Sequence, residues 1–150
     1  LKMSDNLPQV EAALQAYMRG FDMRIGNATL EISQALAGAG MRQIVGERPY
    51  RETSGGGRVY EKAVSGQPPM NRTGNLRRSI RGQHQRLGYA TYQAIVGADM
   101  IYARAVEVGA PYNPPSWQSG EHFPYLQPAL QEFASSNLTV RILRKHLGVR

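Results

Sequence analysis

The most restrictive feature of the sequence is an apolar phase that persists from residue 8 to residue 45. Apolar side chains fall at Val10, Leu14, Tyr17 or Met18, Phe21, Ile25, Ala28, Ile32, Ala35 or Leu36, and Ala39. Every step is three or four residues, which keeps them on one face of a helix. Asn6 suits an N-cap and Pro8 the first turn. Gly20, Gly26, Gly38 and Gly40 each weaken a helix by up to about 1 kcal/mol relative to alanine. The phase nevertheless crosses Gly20 and Gly26, so one long helix is expected, fraying after Gly38. At 1.5 Å per residue it spans roughly 50 Å. That is long for a chain of 150 residues, and part of the helix is expected to pack on something besides its own domain.

The next segment, 46–72, is punctuated by Pro49, Gly55-Gly56-Gly57, Gly66, Pro68 and Pro69. It reads as a long, mobile basic loop with room for one short strand or turn of helix at 59–64. Thr73 to Ile80 reads as a short helix capped by Thr73 and ended by Gly82, with Leu76 and Ile80 on one edge. Gln83–Leu87 and Ala90–Gly97 read as a β-hairpin joined near Gly88. Residues 101–108 read as two helical turns stopped by Gly109. A Pro-rich loop, 110–124, carries the single Trp117 and reads as either tucked over the core or an interaction surface. One final helix follows, with Leu126, Ala129, Leu130, Phe133, Val140, Leu143 and Leu147 in phase. The fold class is therefore α+β in one domain: a long N-terminal helix and a C-terminal helix packed on a small antiparallel sheet.

Charge is laid out unevenly. The net charge is +7, but residues 48–89 alone carry nine basic and two acidic side chains, and residues 135–150 four basic and none acidic. Residues 90–134 hold one basic and four acidic side chains. The basic middle segment marks a surface for nucleic acid, a membrane or an acidic protein, with Arg48, Arg51, Arg58 and Lys62 as loop contacts.

Several chemistries lack their residues. There is no cysteine, hence no disulfide framework, thiolate metal site or cysteine nucleophile. His84, His122 and His146 stand at no metal-ligand spacing. Gly55-Gly56-Gly57-Arg58 lacks the Gly-Lys-Ser/Thr ending of a phosphate loop, and no Gly-x-Ser-x-Gly elbow occurs. No apolar run reaches the ~18–20 residues of a membrane span. No cofactor, metal or enzymatic activity is expected. The one enzymatic option, a small hydrolase on His122 and Glu121, rests on those two neighbours alone.

Three stretches, read in order, carry a resemblance: Thr73-Gly74-Asn75-Leu76-Arg77-Arg78-Ser79-Ile80, then Tyr102-Ala103-Arg104-Ala105-Val106-Glu107-Val108-Gly109, then Phe123-Pro124-Tyr125-Leu126-Gln127-Pro128-Ala129-Leu130. Behind a long N-terminal helix, this series resembles the tail-completion and neck proteins of long-tailed bacteriophages. In that family Phe is usual where Tyr125 stands, and the Gly-rich stretch near residue 56 looks like an insertion. The resemblance implies a structural virion protein of the tail end or neck. It would form a homo-oligomeric ring, six copies as the first expectation and twelve as the second, that joins tail tube to head connector. Genome DNA would pass through without sequence-specific binding.

A ring needs two unlike complementary faces per copy. The candidates are the basic Arg72, Arg77, Arg78 and Arg81 and the acidic Asp99, Glu107 and Glu121, with Trp117 as a loop contact. Glu107 has a second reading, as a helix-face carboxylate bonding nearby backbone or an arginine. Leu76, Ile80, Tyr102, Val106, Leu126 and Leu130 are the expected core, and Gly74 and Gly109 the expected turns. The alternative function is a basic nucleic-acid-binding protein, supported by the basic segment, the basic C-terminal helix and the interleaved Tyr50 and Tyr60.

Overall fold

The structure is a computed structural model that describes residues 7–44, 46, 49–60, 64–69, 73–109 and 122–149. The long apolar phase folds as one helix, α1 (Leu7–Gln43), of 37 residues. It does not fray after Gly38, because Gly40 lies under other elements. A Cβ there would stand 3.1 Å from Leu126 Cδ2 and 3.7 Å from Ile80 Cδ1. Packing thus overrides the weak helix propensity of glycine. The proposed cap Asn6 lies outside the described residues.

After α1, β1 (Tyr50–Glu52) and β2 (Arg58–Tyr60) pair antiparallel around a tight turn, in which Thr53 N–H donates to Gly57 O at 2.8 Å. The strand expected near 59–64 is therefore present at Arg58–Tyr60, but it belongs to this separate ribbon and not to the main hairpin.

Helix α2 (Asn75–Ser79) leads directly into β3 (Ile80–Gly88), which pairs with β4 (Thr91–Ala98). Two expectations are corrected here. The α2 cap is Gly74, at φ +76°, and Thr73 Oγ1 instead accepts from the Asn75 N–H at 3.4 Å. Gly82 does not end a helix; it lies within β3, where a Cβ would stand 2.2 Å from Ser33 O. The strand crosses α1 so closely there that no side chain fits.

Strand alternation puts Ile80, Gly82, His84 and Arg86, with their partners Ala98, Val96, Ala94 and Tyr92, on the α1 side. A Cβ on Gly26 of α1 would stand 3.0 Å from the Tyr92 ring. Arg81, Gln83, Gln85, Gln93 and Ile95 point the other way and are exposed.

Helix α3 (Ala103–Val108) stops at Gly109, at φ +67°, whose N–H donates to Ala105 O. The C-terminal region is two helices, α4 (Leu126–Ser135) and α5 (Leu138–Leu147), not one. The break lies at Ser136, which is extended at φ −84°, ψ 147°. Its hydroxyl donates to Phe133 O at 2.7 Å, the kind of local side-chain bond that competes with helix continuation.

The core gathers Ala37, Ile44, Ile80, Val106, Phe123 and Tyr125, with Met41, Leu76, Val96, Ala98, Tyr102 and Leu126 against it. Five of the six expected core residues are in this cluster. Leu130 is the exception, at 54% exposed; Ala129 and Phe133 take the inner face of α4 instead. The fold is α+β, with the long helix lying along a two-stranded hairpin and the two C-terminal helices.

Candidate functional site

The three motif stretches converge on this core, and one side chain ties two of them together. Glu107, on the last turn of α3, reaches the start of α4. Its Oε2 accepts from the Tyr125 N–H at 2.8 Å and the Leu126 N–H at 3.0 Å, and its Oε1 from the Gln127 N–H at 2.8 Å. A helix start leaves four N–H groups without intrahelical partners and carries positive partial charge. A carboxylate answers both. The Phe123 N–H also donates to Val106 O at 2.6 Å. Tyr125, 1% exposed, has its phenol pushed up to about 12 by burial first, then by the charges of Glu107 and Tyr102. Of the two readings of Glu107, its geometry fits the backbone-bonding one. The carboxylate is engaged in the fold and is not displayed on an outer face.

The arginines of α2 and β3 differ in how free they are. Arg78 folds back on the start of its own helix: Nη2 donates to Thr73 O at 3.0 Å and to Asn75 Oδ1 at 2.8 Å. Arg81 lies over the other end, donating from Nη1 to Arg78 O and to Ile80 O. A cation suits those carbonyls. Arg77 is exposed and makes no hydrogen bond or ion pair with the described residues, so it is the cation most available to a partner. Asp99 does not face these arginines from across the molecule. Its N–H donates to Ser79 O at 3.3 Å, which sets it beside the α2–β3 junction. In the β1–β2 ribbon, the Arg58 guanidinium stacks 4.5 Å from the Tyr50 ring centroid, and Arg51 is exposed. Arg48, Lys62, Arg72, Trp117 and Glu121 lie outside the described residues.

Two carboxylates that the sequence did not single out position the surrounding elements. Asp22 of α1 accepts from the Ala90 N–H at 2.7 Å and pairs with Arg86 at 3.0 Å, which pins the hairpin tip. The Ala90 N–H is the main cause that holds its carboxyl below the usual range, with Tyr92 and Arg86 adding to it. Glu31 holds the end of α5 through Lys145 at 2.9 Å and His146 at 2.7 Å, and Lys145 first, then His146, lower its carboxyl. Each partner is far away in sequence, so no local pattern marks either residue. Arg141 and Arg144 of α5 remain exposed.

Among the described residues no group of His, Asp and Glu is placed to hold a metal ion, and no helix is long and apolar enough to cross a membrane. His122 is exposed; its N–H donates to Ser65 Oγ at 3.2 Å. An open groove of about 310 Å³ lies between α1 and the hairpin tip, lined by Gln15, Met18, Arg19, Asp22, Arg86 and Tyr89. The hairpin has two long outer edges, and neither is paired with a further strand among the described residues. This arrangement offers surfaces for contact with other chains. No family model matches the chain, and no curated protein or solved structure is significantly similar to it.

Proposed function

We propose that the chain is a non-enzymatic structural protein of the bacteriophage neck or tail end. It closes into a ring that completes the tail and joins it to the head connector, six copies being the first expectation and twelve the second. The observation that carries this reading is that the three stretches of the resemblance make one core, with Glu107 of the second capping the helix of the third. The family pattern thus has a physical unit behind it in this chain.

A closed ring needs two unlike surfaces on each copy. The hairpin supplies a candidate pair. Unpaired strand edges present rows of free N–H and C=O groups, and here the two edges differ chemically. β3 carries the exposed Arg81, its Arg86 being paired with Asp22, whereas Thr91–Ala98 of β4 has no charged residue. Arg77 adds a free cation next to the β3 edge. Connector and tail-tube proteins are the other partners in this reading. DNA passes through without sequence-specific binding, and the protein resides in the virion after assembly in the host cytoplasm.

The test is the mass of the purified protein in solution at low and moderate salt. A discrete hexamer or dodecamer supports the ring, and Arg77→Glu should weaken it. A monomer that binds DNA with steeply salt-dependent affinity would favour the nucleic-acid-binding reading, carried by the exposed Arg77, Arg141 and Arg144.

A further inference from the structure

The C-terminal helices are two where the sequence pattern is one. Leu126, Phe133, Val140 and Leu147 are seven residues apart, the spacing of a single seam on one unbroken helix. The structure breaks that helix at Ser136, whose ψ of 147° is extended, whereas Asn137 stands near the helical region at φ −78°, ψ 16°. Neither side of the break is firmly capped. Ser136 is not a left-handed glycine, and the Asn137 side chain makes no bond to the start of α5. The stop rests on the Ser136 hydroxyl, which donates to Phe133 O and accepts from the Leu138 N–H at 3.4 Å. The break also reverses the chain. Leu126 lies over Gly40, and Glu132 meets Arg42 at 3.6 Å and Gln43 at 3.0 Å, so α4 runs toward the C-terminal end of α1. Helix α5 then turns back and closes on Glu31 through Lys145 and His146. In this bent form Ile142 is buried, Leu138, Leu143 and His146 are half-buried, and Val140, a member of the seam, is 47% exposed. The bent helix and a straight one therefore satisfy different faces of α5.

We propose that the α4–α5 joint straightens and that α5 is exchanged between copies, the α5 of one chain taking the seat on α1 of a neighbour. Turning ψ of Ser136 into the helical range makes one helix over 126–147, about 33 Å long at 1.5 Å per residue, and restores backbone hydrogen bonds across the joint. Val140 then joins Phe133 and Leu147 on one side. Helix α5 is carried past the end of α1, out of reach of its own Glu31. The seat it leaves fits an identical α5, with a buried place for Ile142 and a carboxylate for Lys145 and His146. Every contact made between copies is then one already made within the chain. Exchange needs no new surface, and its cost is confined to the hinge and to association. The exchange runs head to tail: each copy gives its α5 to one neighbour and receives that of the other. Such a contact is heterologous and closes into a ring. It does not use the hairpin edges and does not rest on the neck reading.

Charge reversal shows whose α5 fills each seat. Glu31→Lys makes a chain that repels its own Lys145. Lys145→Glu with His146→Gln makes a chain that repels its own Glu31. In either chain alone every α5 meets a like charge, its own seat or a neighbour's. In a mixture each α5 finds the opposite charge on the other chain. After the two are unfolded and refolded together, native mass spectrometry should find mixed oligomers about tenfold or more above the oligomers of either chain alone. Asn137→Pro fits the bent form, because Asn137 has a proline-like φ and Ser136 is extended as the residue before a proline prefers, yet it forbids the straight helix. Placed in both chains it should abolish the mixed oligomers. In the otherwise unaltered chain it should leave the melting temperature unchanged, and Ser136→Ala, which removes the hydroxyl stop, should raise the oligomer share. Absence of mixed oligomers overturns the proposal, and so does an equal yield with and without Asn137→Pro. A hexamer of the unaltered chain that persists with Asn137→Pro, with no mixed species, keeps the ring and removes the exchange; mixed oligomers without a hexamer or dodecamer do the reverse.

Discussion

The two halves of α1 carry the same amphipathic pattern and meet different fates. From Gly26 to Gly40 the helix is covered on two sides: the hairpin lies against Gly26, Ser33 and Gly40, and α5 is held at Glu31. From Leu7 to Arg19 every residue is exposed, and this half is a bare arm. The pattern of steps is no weaker on the bare half. On the face of Leu7, Val10, Leu14 and Tyr17 the covered half carries Ile25, Ile32 and Leu36, half-buried, with the small Ala28 and Ala39 buried among them. Gly26, Ala28, Ser33, Ala39 and Gly40 mark where this chain packs most tightly on itself. Periodicity states that a face wants cover; side-chain size and glycine placement tell what kind of cover it gets.

The sharpest way to break this contrast is to lift the hairpin off the covered half. A methyl group on Gly82 would stand 2.2 Å from Ser33 O and 2.7 Å from Gln34 N, both backbone atoms that cannot swing aside. Gly82→Ala should cost about 3 kcal/mol or more, in the range of severe overpacking. Urea unfolding would measure it. Wild-type-like stability would mean that strand and helix are not in such close contact.

Next in size is the cap on α4. Glu107→Ala leaves three N–H groups without their carboxylate and should cost about 2–3 kcal/mol, the scale of lost charge-assisted hydrogen bonds. Glu107→Gln keeps one acceptor oxygen and should fall between. Because α4 packs on α1, the loss would reach the covered half and leave the arm as it is. Hydrogen exchange should therefore accelerate around residues 37–43, while amides of the arm, remote from α4, do not change.

What the sequence revealed follows from how local each feature is. The phase of α1, the hairpin expected at 83–97 and the Gly109 stop rest on neighbours a few residues apart, and all are legible, although β3 begins three residues earlier, at Ile80. The break at Ser136 is hidden in the sequence because the apolar phase runs on from Leu126 to Leu147, and a serine hydroxyl is a weak signal against it. Gly82 reads in sequence as a helix end because nothing near it shows that Ser33 lies across it. Glu107 was legible as a carboxylate on a helix face, yet its partners are 18, 19 and 20 residues away, and the sequence does not choose among distant donors. Asp22 and Glu31 carried no signal for the same reason, with partners 68 and 114 residues on.

Those two carboxylates give the covered half a pH dependence that the arm lacks. Both have carboxyls lowered from ordinary values of 3.8 for Asp22 and 4.5 for Glu31. A lowered acid stabilises the fold above its unfolded value and loses that contribution as pH falls through the folded one. Stability should thus drop on acidification from about pH 5 down through the carboxylate range. Asp22→Asn together with Glu31→Gln should flatten that part of the profile, read as melting temperature against pH. An equally steep profile in the double variant would place the acid sensitivity elsewhere.

The smallest expected effect is on the arm, and it is the one that tests the comparison from the other side. Leu14→Ala removes as much side chain as a core truncation does. At Ile80, which is fully buried, truncation to alanine should cost about 2–5 kcal/mol. At Leu14 the same loss should stay within about 0.5 kcal/mol in a dilute sample, because the side chain already meets water and alanine is the better helix former. A Leu14→Ala penalty that is large when dilute would mean that the arm folds back on its own body, and the two halves of α1 would then not differ.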